Sequence, residues 1–110
     1  MYSVNTEYLV NKLKEIGFSR AKLVRSEANC NLLITEILDE QFLISVRKGA
    51  ISNKLIAKIV PAYTLPYRYW SCIYLEYTPQ GLYAFADNEN ELANQLLKKC
   101  KRLISTLKEF

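Results

Sequence analysis

The stretch NLLITEILDEQFLISVRK, residues 31–48, decides the fold. Residues 32–38 are mostly apolar, and from 42 to 46 every second residue is apolar, which is typical of a strand with one buried face. The polar pair at 39–40 provides a turn between the two runs. Together with an apolar pair earlier in the chain, residues 21–48 predict three short antiparallel strands.

Helices are predicted on both sides of these strands. Residues 5–17 carry apolar side chains at helical spacing, with Asn5 or Thr6 as the N-cap and Gly17 as the C-terminal stop. Residues 89–108 form the longest predicted helix. Its buried stripe consists of Leu92, Leu96, Cys100, Leu103 and Leu107.

The remaining segments complete a predicted α+β fold. Residues 53–60 favour a short helix that Ser52 caps and Pro61 stops. Residues 70–77 and 81–86 favour a β-hairpin, because aromatic and branched side chains flank a turn that contains proline and glycine. The predicted order is therefore α-β-β-β-α-β-β-α, with an antiparallel sheet of about five strands. This element order is similar to that of small secretion chaperones and related adaptor domains.

Length and composition indicate a single α+β domain covering residues 1–110. Half of the residues are hydrophobic and 24% are charged, the usual balance of a globular protein. No apolar run approaches the roughly 20 residues that a membrane-spanning helix needs. The N-terminal residues lack a basic region followed by an apolar one, so we expect no signal peptide. These features predict a cytoplasmic protein with no membrane partner.

The sequence offers little catalytic or metal-binding chemistry. It has no histidine, which removes the commonest general base and metal ligand. Cys30, Cys72 and Cys100 are odd in number and widely spaced, so we expect small buried hydrophobic side chains rather than a disulfide framework or a zinc site. A nucleophilic cysteine is the alternative interpretation. We predict no cofactor.

Acidic residues gather at Glu36, Asp39 and Glu40, and Glu76 stands alone. A metal-dependent nuclease that uses Glu36 or Glu76 is the weakest functional hypothesis, because these predicted strands contain no acid-x-lysine triplet. A solvated turn explains Asp39 and Glu40. The sequence therefore predicts that the protein is not an enzyme.

The basic residues are distributed unevenly. The formal net charge is +4, and residues 98–110 account for all of it, with five basic residues and one acid. Residues on this helix away from the leucine stripe are candidates for contact with nucleic-acid phosphates. They are Lys98, Lys101, Arg102 and Lys108. The alternative is a solvated face that stabilises the C-terminal end of the helix through its dipole.

Aromatic residues cluster in segment 63–77, which contains five tyrosines and the tryptophan. Tyr, Trp and Arg are enriched at protein-binding hot spots. The candidate partner-binding residues are Tyr63, Tyr67, Arg68, Trp70 and Tyr74. Two alternatives are left open: Trp70 and half of the tyrosines fill the core, or the rings stack on nucleic-acid bases.

A strand at 67–74 would separate its side chains by alternation. Tyr67, Tyr69 and Ile73 would then lie on one face, with Arg68, Trp70 and Tyr74 on the other. Because burying an unpaired arginine is costly, we predict that the set containing Arg68 faces outward.

These observations favour a non-catalytic protein-binding module that acts as an adaptor, a chaperone-like protein or an inhibitor. The abundance of lysine, isoleucine, asparagine and tyrosine is typical of AT-rich coding sequences, as in many mobile elements. An inhibitor of a host or defence protein is therefore one specific hypothesis. The alternative is a nucleic-acid-binding protein that uses the basic helix and the same aromatic residues. A homodimer is also left open.

Overall fold

The computed structural model describes residues 4–27, 29–49 and 53–107. In these ranges the protein has an α+β fold in which three α-helices pack on a five-stranded antiparallel sheet with strand order β1-β2-β3-β4-β5. The elements are α1 (Thr6–Glu15), β1 (Ser19–Glu27), β2 (Cys30–Ile37), β3 (Glu40–Lys48), β4 (Leu55–Pro61), α2 (Cys72–Tyr77), β5 (Leu82–Ala86) and α3 (Glu89–Leu107). The predicted fold class is confirmed.

The β2–β3 hairpin forms where the sequence predicts it. Ile37 pairs with Glu40, so the turn consists of Leu38 and Asp39, one residue earlier than expected. Both turn residues have positive φ angles, 51° and 66°. This backbone is that of a two-residue turn whose twist matches the flanking strands.

The helix predicted at 53–60 is wrong, because this segment contains strand β4. Side chains on both faces of β4 are buried between neighbouring layers, and only Ile56 is partly exposed. A strand buried on both faces is a continuous apolar run and cannot be distinguished from a short buried helix by periodicity. The predicted cap, Ser52, lies outside the described residues.

The strand predicted at 70–77 is also wrong. Two 3-10 turns, Ala62–Thr64 and Tyr67–Tyr69, lead into α2. Ser71 caps this helix by accepting a hydrogen bond from the Tyr74 backbone N–H. Aromatic residues have a high strand propensity, but this cap and tertiary packing override it.

Strand β5 is confirmed, and it pairs with β4. Gly81 precedes it with a φ of 98°. A Cβ at this position would overlap the backbone oxygen of Ile59, so only glycine fits this close approach.

The sheet has a hydrophobic core on each face. The first core lies under α1 and α3, and the second lies under α2 and the residues preceding it. Neighbouring residues on one strand divide between them: Leu33 enters the first core and Leu32 the second. In α3, the buried hydrophobic residues are Leu92, Ala93, Leu96, Cys100 and Ile104. Leu103 is only partly buried, and the side chain of Leu107 lies outside the described part.

The cysteine interpretation needs a correction. Cys30 and Cys72 form a disulfide that joins β2 to α2. The two cysteines are 42 residues apart, which matches no recognisable cysteine motif, so the sequence alone did not reveal the pair. Cys100 is free and buried, as predicted, and burial raises the pKa of its thiol. Within residues 4–27, 29–49 and 53–107, no helix is both long and apolar enough to cross a membrane.

Candidate protein-binding surface

The N-terminal end of α2 is fixed to the sheet by three contacts. The disulfide holds Cys72, the first residue of the helix, against β2. The Glu27 carboxylate accepts a hydrogen bond of 2.8 Å from the Cys72 backbone N–H. A carboxylate at this position also interacts favourably with the positive end of the helix dipole. With the Ser71 cap, these contacts restrain the first turn.

The C-terminal end of α2 is held by two cations from the sheet. Lys58 is only 4% exposed, and its ammonium donates to the backbone carbonyls of Glu76 (3.3 Å) and Thr78. Burial lowers the pKa of Lys58, and the charge of Glu76 opposes that shift. Arg47 forms an ion pair with the Glu76 side chain. A lysine beside the last carbonyls of a helix satisfies groups that the helix itself leaves unpaired.

Three apolar side chains of α2 point away from the sheet. Ile73, Tyr74 and Tyr77 are 59%, 51% and 84% exposed, and we call them the α2 face. On the same side of the sheet, β5 exposes Tyr83 and Phe85. The Tyr83 hydroxyl lies 3.4 Å from the Glu76 carbonyl, so β5 continues the aromatic surface beside the helix.

The predicted partner-binding residues form two groups. In the first group, the Arg68 guanidinium lies 5.0 Å from the centre of the Tyr69 ring, and that ring lies 4.9 Å from the Tyr74 ring. Arg68 and Tyr74 are exposed, as predicted. The α2 face therefore continues through Tyr69 to a cation stacked on an aromatic ring.

The second group consists of Tyr63, Tyr67 and Trp70. Tyr63 and Tyr67 are 67% and 79% exposed, and the Tyr67 and Trp70 rings are 4.9 Å apart. Trp70 is half-buried against the second core, and its indole N–H donates to the Leu65 carbonyl at 2.7 Å.

The predicted alternation of faces is wrong for three of its six residues. Tyr67 and Ile73 are exposed although they were expected to face inward, and Trp70 is half-buried although it was expected to face outward. Alternation with a period of two applies to strands, whereas these residues lie in or beside helical turns.

The basic residues of α3 lie on the other side of the sheet. Lys98, Lys101 and Arg102 are exposed, but α3 covers the first core and the aromatic residues surround the second. The cations and the aromatic rings therefore lie on opposite sides of the sheet. Lys108 lies outside the described residues.

The carboxylates suggested for a nuclease form ion pairs in separate places. Glu36 pairs with Arg20 at 3.8 Å, and Glu76 pairs with Arg47. In the part of the chain that the structure describes, no group of three His, Cys, Asp or Glu residues is arranged to hold a metal ion.

Sequence reasoning missed several residues that define the surface. Ile73 was assigned to the interior, and Tyr77 was left out of the candidate set. The supports Lys58, Arg47 and Glu76 gave no local signal, since their partners are distant in sequence. Ser71, an N-cap residue type three positions before Tyr74, was the signal for a helix.

Comparisons with known proteins add no functional information. No family model matches the chain, and neither curated proteins nor solved structures gave a significant match.

Proposed function

We propose that the protein is a non-catalytic module that binds another protein through the α2 face. The observation that carries this proposal is that α2 is fixed at both ends while Ile73, Tyr74 and Tyr77 remain in solvent. Contiguous exposed apolar side chains on a folded protein mark interaction surfaces. Because the helix is already held in place, little conformational entropy is lost when a partner covers it.

The composition of the surface supports a protein partner. Tyrosine buries a large area on binding and retains a hydroxyl for hydrogen bonding. Arg68, stacked on Tyr69, adds a cation at the edge. The finer roles of adaptor, chaperone-like protein or inhibitor of a host or defence protein remain part of this proposal.

Affinity capture from a lysate of the native host tests the proposal. The bait is the protein itself, compared with the double variant Tyr74→Ala/Tyr77→Ala. The matched control is Tyr8→Ala, because Tyr8 is an exposed tyrosine on α1, on the other side of the sheet. Each capture is performed with and without nuclease.

The proposal predicts that the wild type and Tyr8→Ala capture a protein that Tyr74→Ala/Tyr77→Ala does not capture. Nuclease treatment should not release this protein. Capture of the same proteins by all three baits would reject the proposal. Self-association of the purified protein that the double variant abolishes would instead assign the surface to a homodimer.

Nucleic-acid binding by α3 alone is the second candidate, favoured by the exposure of Lys98, Lys101 and Arg102. Phosphate contacts would make binding fall steeply between about 50 and 200 mM salt, and reversing these three charges would abolish it. Absence of binding to DNA and RNA at low salt would exclude this function.

The cytoplasmic location remains a prediction, and the Cys30–Cys72 disulfide argues against it. Disulfides persist in oxidising compartments, whereas the cytosol keeps most thiols reduced. The location can be tested by quenching native cells with acid and alkylating the free thiols of the protein. Three modified cysteines would support a reducing compartment, and one would support an oxidising compartment.

A further inference from the structure

A groove separate from the α2 face lies at the end of the sheet where the β2–β3 turn meets the segment after β4. Phe42 pairs with Pro61, which brings residues 39–41 beside residues 62–67. The groove is open to solvent and has a volume of about 630 Å³, large enough to accept a side chain. Its lining combines three carboxylates, one arginine and three aromatic rings: Glu36, Asp39, Glu40, Arg20, Tyr63, Tyr67 and Trp70.

The charge of this groove is opposite to that of the whole chain. Glu36 is compensated by Arg20 at 3.8 Å, and Lys14 and Lys22 line a neighbouring hollow on that side. Asp39 and Glu40 form no ion pair with any of the described residues. The groove therefore holds two uncompensated carboxylates on a protein whose formal net charge is +4.

The aromatic wall of the groove is suited to contact a cation. The hydrogen bond from the Trp70 indole to the Leu65 carbonyl orients the indole ring. The Tyr67 ring packs against this indole with an angle of 50° between the two ring planes. The faces of Trp and Tyr rings attract guanidinium and ammonium groups. A guanidinium can also stack on a ring while it donates two hydrogen bonds to a carboxylate.

We propose that this groove binds an arginine side chain from a basic segment of the partner protein. The proposal rests on the proposed protein-binding function and adds the chemistry of the partner. Asp39 and Glu40 attract and orient the guanidinium, while Tyr67 and Trp70 stack against it. Arginine binds better than lysine, because an ammonium cannot form the planar paired hydrogen bonds.

Trp70 is the only tryptophan in the sequence, so its fluorescence reports directly on the groove. The probe is a capped hexa-arginine peptide, compared with hexalysine and hexaglutamate peptides of the same length. Calorimetry provides an independent affinity. Nonspecific attraction is a small concern, since the rest of the protein repels a cationic probe.

Two variants of the groove have matched controls elsewhere. Asp39→Asn/Glu40→Gln removes both charges and preserves shape, and asparagine tolerates the positive φ of position 39. Its control is Glu7→Gln/Glu15→Gln on α1. Tyr67→Ala removes one ring, and its control is Tyr8→Ala, an exposed tyrosine on α1 outside the groove.

The expected result is saturable binding of hexa-arginine, weaker binding of hexalysine and none of hexaglutamate. Loss of the two charges should weaken binding about tenfold, and Tyr67→Ala about fivefold, with both controls unchanged. Absence of saturable hexa-arginine binding, or equal weakening by the controls, would overturn the proposal. Suppose that hexa-arginine does not bind the groove, but the wild type captures a protein that Tyr74→Ala/Tyr77→Ala does not. In that case only this inference fails. If hexa-arginine binds the groove but the wild type, Tyr8→Ala and Tyr74→Ala/Tyr77→Ala capture the same proteins, only the proposed binding through the α2 face fails.

Discussion

The Cys30–Cys72 disulfide allows a quantitative test of how α2 is held. Replacing both residues with alanine, or reducing the bond, removes a cross-link that closes a loop of about 42 residues. In the chain-entropy treatment, such a cross-link stabilises the folded state by about 4 kcal/mol at 25 °C. For a domain of this size, that corresponds to a fall in Tm of about 17 °C. The double variant should still fold, because the first core does not contain either cysteine.

Urea unfolding followed by far-UV circular dichroism measures this effect, with and without a phosphine reductant. The reductant should destabilise the wild type and Cys100→Ala, since Cys100 is free and buried. It should have no effect on Cys30→Ala/Cys72→Ala. Each single variant should lose nearly as much stability as the double, because either one breaks the bond.

Hydrogen exchange then locates the consequence. In the reduced protein, residues 72–77 should lose protection more than α3, because the disulfide holds the first residue of α2. A loss of stability below about 1 kcal/mol on reduction would refute this account. So would equal sensitivity of the double variant to the reductant.

Three further predictions concern other parts of the molecule. Leu96 is fully buried in the first core, so Leu96→Ala should lower the free energy of unfolding by about 2–5 kcal/mol. A change below about 0.5 kcal/mol in urea unfolding would contradict that packing. Arg68 and Tyr74 are exposed, so alanine at either position should change the free energy of unfolding by less than about 0.5 kcal/mol and weaken partner binding by about 2 kcal/mol. A large loss of stability with intact binding would place these residues in the core. Burial lowers the pKa of Lys58 in the folded protein below its ordinary value of 10.5. The unfolded chain therefore binds the ammonium proton of Lys58 more tightly than the folded protein does. As a result, the contribution of Lys58 to the free energy of unfolding should rise as the pH approaches 10.5. Urea unfolding across that alkaline range should show a smaller rise for Lys58→Met than for wild type, and identical slopes would contradict the assignment.

The longest helix, α3, is predicted correctly because its apolar residues have a strong helical period. Residues 89–107 repeat apolar side chains over five turns on one buried stripe. Strand β3 was predicted from apolar residues at 42, 44 and 46, but residues 42–46 are all buried and the strand is covered on both faces rather than one. The two misassigned segments lack such a period. Strand β4 is covered on both faces, and α2 is one and a half turns long, too short to show helical periodicity.

Composition indicated segment 63–77 as a candidate surface, but it could not orient the residues of that segment. Six large aromatic residues in 15 positions predict an interaction segment wherever they fold. Which rings face solvent depends on the two 3-10 turns and α2, whose positions are set by distant contacts. Lys58, Glu27 and Cys30 each contact α2 from other parts of the chain, and one sequence contains no local signal for these pairings.

The way α2 is held separates a structural role from a binding role. A six-residue helix is unstable alone, so its contacts must come from the fold. Cys72 and Leu75 are enough to cover the second core, because they are its buried residues in α2. If covering the core were the helix's sole task, the remaining outward positions would favour polar side chains, which cost less to expose to water. They are instead Ile73, Tyr74 and Tyr77, next to two exposed aromatic residues of β5. An anchored helix with an apolar outer face therefore supports the proposed protein-binding role.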